Sequence, residues 1–327
     1  MRTCELGRTG RHVSIVGLGT WQLGSDWGQV DEADAMGVLH AAVDAGVTFL
    51  DTADVYGDGR SETLIGRLLA ERPDTALTVA TKMGRRADPY VPAAFTLQAF
   101  RDWTDRSRAN LGVEVLDLVQ LHCPPAQVFS DDRVFDALDT LVQEQRIAAY
   151  GVSVETCDEA LTAIARPHVA TVQLILNVFR RKPLERVLPA ALEAGVGIIA
   201  RVPLASGLLS GKYDESTTFA ARDHRTYNRQ GQAFDVGETF SGVPFEVGVR
   251  AARGVAALAK ECTTAQLALR WILDQPGVST VIPGARNATQ AADNAAAAGL
   301  APLSPQILES LSDIYDDEIR VHVHDRW

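Results

Sequence analysis

The chain has 327 residues, 46% of them hydrophobic and 22% charged, the balance of a globular protein with a sizeable core. Lys and Arg number 31 against 42 Asp and Glu, and the resulting net charge of −11 repels polyanions, which argues against nucleic acid as a partner. The opening MRTCELGRTGRHVSIVG lacks an apolar signal core and no run approaches the ~20 apolar residues of a membrane span, so a cytoplasmic protein without a membrane partner is expected.

In chain order, CELGRTGRHV reads as a β-hairpin that turns between Gly7 and Gly10. Eight β-rich runs follow: VSIVG, VTFLD, LTVATK, VLDLVQLH, IAAYGVS, VATVQLILN, VGIIARVP and VSTVIPG. Most are apolar without alternation, as parallel strands covered on both faces should be. Helical patterns separate them, such as DEADAMGVLHAAVDAG with its stripe of Met36, Leu39 and Val43. Repeated strand-helix alternation predicts an α/β fold, and eight units fit a closed (β/α)8 TIM barrel. An open doubly wound sheet would show a glycine-rich loop opening a helix after the first strand, whereas GLGTWQLG runs into Trp21 and Gln22. After the seventh run a long loop from Leu204 to Phe245, rich in Gly, Ser, Thr, Asp and Arg, has the length of a lid or binding loop. One domain spanning residues 1–327 is expected, with the active site where the strands end.

Asp51, Lys82, His122, Ser153, Asn177 and Arg201 all stand at those strand ends. With Tyr56, the first three form a proton-transfer set. A phenol ordinarily loses its proton near pH ~10, so a tyrosine serves as an acid near neutrality only if a cation stabilises its anion. A lysine held by an aspartate provides that cation.

At these residues the chain resembles the aldo-keto reductases, and the resemblance extends from Gly17 to about Ala298. It implies reduction of an aldehyde or ketone to the alcohol: Tyr56 gives the proton, Lys82 lowers the phenol pKa, Asp51 fixes Lys82, and His122 orients the carbonyl oxygen. In this family a hairpin plugs the bottom of the barrel. No side chain can deliver a hydride, so a nicotinamide dinucleotide is required. The resemblance places Gly19, Thr20 and Trp21 among the cofactor-binding residues, Trp21 at the mouth, and Ser153 and Gln173 on the nicotinamide carboxamide, with Val154 where an asparagine is usual. Arg201 takes the position of the aromatic residue that stacks on the nicotinamide. There it would lie near solvent and repel the oxidised, cationic ring, with Asp223 or Asp235 as partners if it turned away.

The loop with Pro203, Leu204, Ser206, Gly207, Leu208, Ser210, Gly211 and Lys212 matches the family's pyrophosphate-wrapping segment, its glycines allowing close approach and its Ser and Lys supplying donors and charge. In VIPGARNATQAADN, Gly284 and Gln290 stand where a lysine and an arginine often bind the 2′-phosphate; Arg286 is the cation present and Asn294 matches an adenine contact. NADPH is expected over NADH.

The resemblance implies a small carbonyl compound as substrate, with Trp21, Val55, Tyr90 and Trp103 as candidate pocket walls and Arg222, Arg225 and Arg229 of the lid able to admit an anion. Cys4, Cys123, Cys157 and Cys262 form no CxxC pair, so neither a metal site nor a disulfide framework is expected. The HVHDRW tail is expected to be a solvated terminus. Other readings are a sugar or secondary-alcohol dehydrogenase, a regulatory subunit like the potassium-channel β proteins, and an aldolase-like barrel using Lys82. The oligomeric state is open.

Overall fold

A computed structural model describes residues 1–24 and 31–327. Strands β1 (Thr3–Glu5) and β2 (His12–Ser14) form the antiparallel hairpin. The barrel strands are β3 (Leu18–Gly19), β4 (Phe49–Asp51), β5 (Thr78–Met83), β6 (Leu118–His122), β7 (Tyr150–Ser153), β8 (Val169–Ile175), β9 (Gly197–Arg201) and β10 (Val278–Val281). They pair in parallel in sequence order. Parallel bridges Val16↔Val281 and Gly19↔Gly284 join the two ends, so the sheet closes into the expected (β/α)8 barrel.

The first run is the one place where the expected strand shifts. VSIVG straddles two elements: Val13 and Ser14 belong to the hairpin, and the barrel strand proper begins at Leu18. The two segments look like one run in sequence, because the chain changes partner from β1 at Ser14 to β10 at Val16 through a bend at the apolar Ile15 rather than at a Gly or Pro.

The hairpin closes the bottom. Leu6 and Val13 join Phe49, Ala80, Leu118, Ile199 and Ile282 in an apolar cluster separate from the main core. Gly7 sits at φ +51, and a Cβ there would collide with the Ala170 carbonyl and the Gly197 backbone, so only glycine lets the turn press against β8 and β9. Side chains two apart along a strand share a face. Asp51, Lys82, Gln120 and Arg201 therefore follow Phe49, Ala80, Leu118 and Ile199 one step towards the mouth.

The segment after β9 contains 3-10 turns at Ala205–Ser210, Val236–Glu238 and Phe240–Gly242 and a short helix at His224–Tyr227, before the helix Phe245–Leu258. Its arginines hold it together. Arg225 makes a two-pronged pair with Asp223 and donates to Tyr213 Oη at 2.6 Å, and Arg229 lies over the Phe245 ring at 5.0 Å. The C-terminus is docked, contrary to the expected solvated tail. Trp327 is buried, its indole donates to Asp235 Oδ1 at 3.1 Å, and Arg180 stacks on it at 3.7 Å. His324 bonds Tyr315 Oη at 2.8 Å. The large apolar area of the tryptophan outweighs the freedom of the chain end. No helix among the described residues is long and apolar enough to cross a membrane.

Candidate active site

Lys82 is buried at the end of β5 with its three donors all engaged: Asp51 Oδ1, the Thr52 carbonyl at 2.9 Å and Tyr56 Oη at 3.3 Å. The other Asp51 oxygen accepts from Gln173 Nε2 at 2.7 Å and Gln120 Nε2 at 3.2 Å. Both oxygens of the buried carboxylate are thus used as acceptors by fixed protein donors. Burial works against the ammonium, yet Asp51 and Tyr56 hold its pKa above the ordinary lysine value. Tyr56 comes from the loop after β4, with His122 at 5.9 Å and Trp21 at 6.2 Å between ring centroids.

The direction of the tyrosine shift differs from the expectation. Burial, with Asp51 and Glu238, raises the Tyr56 pKa; Lys82 opposes this but does not overcome it. The phenol is therefore fully protonated at neutral pH, and because Lys82 already donates to its oxygen, its own hydrogen is left to point elsewhere. His122 is neutral, held well below its usual pKa by burial and then by Arg85, Lys82 and Arg201.

These groups face a cavity of about 620 Å³, within the range of small-molecule and cofactor sites. Asp51, Tyr56 and His122 line it, as do Gly19, Thr20, Trp21, Ser153 and Gln173. The same cavity reaches Pro203, Leu204, Ser206, Gly207, Ser210, Lys212, Gly284, Arg286, Gln290 and Asn294. Two residues of the expected cofactor loop stand off the wall: Leu208 is in the main core, and Gly211, at φ +70, ends the 3-10 turn. Asn177 and two of the expected pocket walls also have other roles. Asn177 ties the Val202 carbonyl at 2.9 Å to Ser241 Oγ at 2.7 Å. Tyr90 donates to the His122 and Cys123 carbonyls at 3.1 and 2.8 Å, and Trp103 packs on Phe95 and Phe100. Trp21 and Val55 do line the cavity.

Several polar groups are spent differently from the expectation. The Ser206 hydroxyl donates to the Glu238 carbonyl at 2.9 Å and accepts from Phe240 N–H at 3.0 Å, and that of Ser210 donates to the Gly207 carbonyl at 2.6 Å. The serines thus brace the loop rather than offer donors. Gln290 accepts from Arg286 N–H at 2.9 Å, and Asn294 Nδ2 donates to the Gly284 carbonyl at 3.1 Å.

Arg201 departs furthest. It lines the cavity but is buried, not screened by solvent, and its partners are neither Asp223 nor Asp235. It pairs with Glu238, donates to Glu155 Oε2 at 3.0 Å and the Val154 carbonyl at 2.9 Å, and reaches Cys123 Sγ at 3.8 Å. Two carboxylates against one guanidinium cancel its charge, which removes the ground for repulsion of an oxidised nicotinamide. Cys123, Glu155 and Glu238 offer three ligand atoms within 4.8 Å of one another, but Arg201 already donates to all three. Burial pushes the Cys123 thiol up to about 12, so it stays protonated.

Sequence reasoning missed Gln120, Glu155, Glu238 and Arg85. Gln120 was findable, since it precedes His122 by two on β6 and so shares its face. It also missed Asp54, a fully buried carboxyl whose two oxygens have no hydrogen-bond partner among the described residues. Burial, then Glu62, raises its pKa from 3.8 to about 7. The unfolded chain releases this proton at lower pH than the folded protein does, so stability should fall as pH rises between about 4 and 7 and stay low above that window. Asp54→Asn should accordingly stabilise by about 2 kcal/mol at about pH 8 and by little at about pH 4, allowing for local relaxation. Urea unfolding at the two pH values checks this; an equal gain at both would show that the carboxyl does not titrate in the window.

The family model described as Aldo/keto reductase family matches residues 15–316. This chain belongs to the aldo-keto reductase family. It is 30% identical over 297 residues to aldo-keto reductase YhdN of Bacillus subtilis (strain 168), covering 89% of this chain and 86% of that protein. Among solved structures it is similar to the glycerol dehydrogenase of Gluconobacter oxydans, with 29% identity, a TM-score of 0.79 and coverage of 99% of this chain and 97% of that one. An aldo-keto reductase of Klebsiella pneumoniae in complex with NADPH shares the fold, with 24% identity, a TM-score of 0.71 and coverage of 96% and 95%.

Proposed function

We propose that this aldo-keto reductase is an NADPH-dependent enzyme that reduces a small aldehyde or ketone to the alcohol. The observation that carries the reading is the relay Asp51–Lys82–Tyr56, buried at its acid end and opening at the phenol into a cavity shared with His122. The nicotinamide, when bound, supplies the hydride that none of these side chains can deliver. Ser153, Gln173 and Arg201 line the wall nearest the tetrad and would take its ring end; Lys212, Arg286 and Asn294, which line the same cavity, would take the phosphates and adenosine.

Protonated Tyr56 holds its proton towards a carbonyl oxygen in the cavity, and as it leaves, Lys82 stabilises the phenolate at 3.3 Å. Neutral His122 orients the same oxygen by donating one hydrogen bond. Steady-state loss of reduced nicotinamide with a panel of aldehydes and ketones tests the reading, and no turnover with any of them would overturn it. The likeness to a glycerol dehydrogenase favours a second reading, oxidation of a polyol or secondary alcohol, which the reverse assay with NADP+ distinguishes.

Arg286 carries the choice of NADPH over NADH. Arg286→Ala should weaken NADPH binding by about 2 kcal/mol while leaving NADH nearly unchanged, as loss of a charge-assisted hydrogen bond to the 2′-phosphate would. Fluorescence titration of both cofactors measures this. Equal losses would make Arg286 a scaffold residue.

A further inference from the structure

Cations gather around the tetrad, and their hydrogen-bonding states differ. Lys82 has spent its donors on Asp51, Thr52 and Tyr56, and Arg201 is held by Glu155, Glu238 and the Val154 carbonyl. Arg85, three residues beyond Lys82, is different. It lines the same cavity with its side chain 28% exposed, makes no hydrogen bond among the described residues, and has one loose ion pair, to Glu155 at 3.6 Å. Glu155 is shared, its other oxygen being bound to Arg201, which in turn reaches Cys123 beside His122. Arg85 is thus anchored near the carbonyl-binding end of the cavity and retains a planar fork of donors.

A guanidinium fork of this kind matches a carboxylate, which it can bind through two parallel hydrogen bonds. The geometry points to Arg85 as a specificity-determining residue that receives a carboxylate of the substrate, so that the preferred substrates are oxo-acids, with an aldehyde or ketone and a carboxylate on one small molecule. The inference rests on the carbonyl-reductase reading above and deepens it. The surroundings leave Arg85 available: of the three cations acting on His122, Lys82 is held by Asp51 and Arg201 by Glu155 and Glu238, whereas Arg85 has only the shared Glu155 at 3.6 Å. The lid arginines are poorer candidates for this role, because Arg225 is bound to Asp223 and Tyr213 and Arg229 donates to the Arg225 carbonyl at 3.2 Å.

The test compares kcat/KM with NADPH for three acid and neutral pairs of increasing length: glyoxylate and acetaldehyde, succinic semialdehyde and butanal, 4-carboxybenzaldehyde and benzaldehyde. For at least one pair the wild-type enzyme should prefer the acid by about tenfold or more, Arg85→Gln should bring that ratio close to unity, and Arg85→Lys should restore part of it. Reading the ratio removes any general loss of activity in the variants. Calorimetric titration of 4-(hydroxymethyl)benzoate into the protein gives a readout without turnover, and its affinity should fall about tenfold in Arg85→Gln. No acid preference in the wild type, or a preference that survives Arg85→Gln, overturns the assignment of Arg85 while leaving the reductase reading intact. Absence of turnover with all six carbonyl compounds overturns the reductase reading, and the assignment with it.

Discussion

Tyr56→Phe should lower turnover by at least about 100-fold, within the usual contribution of a positioned general acid. The substitution removes one oxygen and keeps the ring that packs between Trp21 and His122, so the shape of the cavity persists. Lys82 loses its acceptor at 3.3 Å but keeps Asp51 and the Thr52 carbonyl, so its charge remains compensated. Cofactor affinity should therefore change little, and the loss should fall on kcat rather than on the cofactor Kd. The raised phenol pKa sharpens the expectation: the wild-type residue is a protonated acid throughout the neutral range, so its removal cannot be offset by raising the pH to about 9. Pre-steady-state measurement of hydride transfer and fluorescence titration of NADPH separate the two effects. Near-normal turnover would exclude Tyr56 as the proton donor.

The barrel and the tetrad were legible because strand geometry is periodic. Each of Asp51, Lys82 and His122 stands at or beside the end of an apolar run, and a strand end in a parallel barrel has one destination, the mouth. What surrounds Arg201 was not legible. Glu155 and Glu238 come from two different loops, after β7 and after β9, and neither spacing nor hydropathy links Arg201 to residues 46 and 37 positions away in a non-repeating chain. The same limit applies to the serines of the loop after β9. Ser206 and Ser210 stand where phosphate donors are expected, but the Glu238 carbonyl and Phe240 N–H, brought close only by folding, claim the Ser206 hydroxyl, and the Gly207 carbonyl within the same turn claims that of Ser210. At the first barrel strand, the apolar run was legible and partner choice was hidden, since residues 13–17 read as one run yet leave the hairpin for the barrel at a bend at Ile15.

Arg201→Met should destabilise the protein by about 3–5 kcal/mol, the scale for removing one partner from a buried ion cluster. Met preserves much of the volume and the apolar stem, so the loss isolates the charge. Two carboxylates, with side chains only 16% and 11% exposed, would remain side by side without their shared guanidinium, and the Val154 carbonyl would lose its donor. Glu238 already has its pKa raised, by burial first and despite Arg201, so in the variant it would bind a proton still more readily. A carboxyl whose folded pKa is raised costs stability above that pKa and recovers it on acidification. The defect should thus shrink as pH falls from about 8 to about 5, whereas the cost of a simple cavity would not depend on pH. Adding Glu238→Gln to Arg201→Met should restore part of the stability at about pH 8, because it removes one of the two stranded charges. Denaturant unfolding of the wild type, Arg201→Met and the double variant at both pH values gives the comparison. A loss that is independent of pH and not relieved in the double variant would mean that Arg201 acts through packing. Relief on acidification would instead identify the residue as the counter-charge that lets two acidic groups stand in the wall of a cavity opening onto Tyr56 and His122.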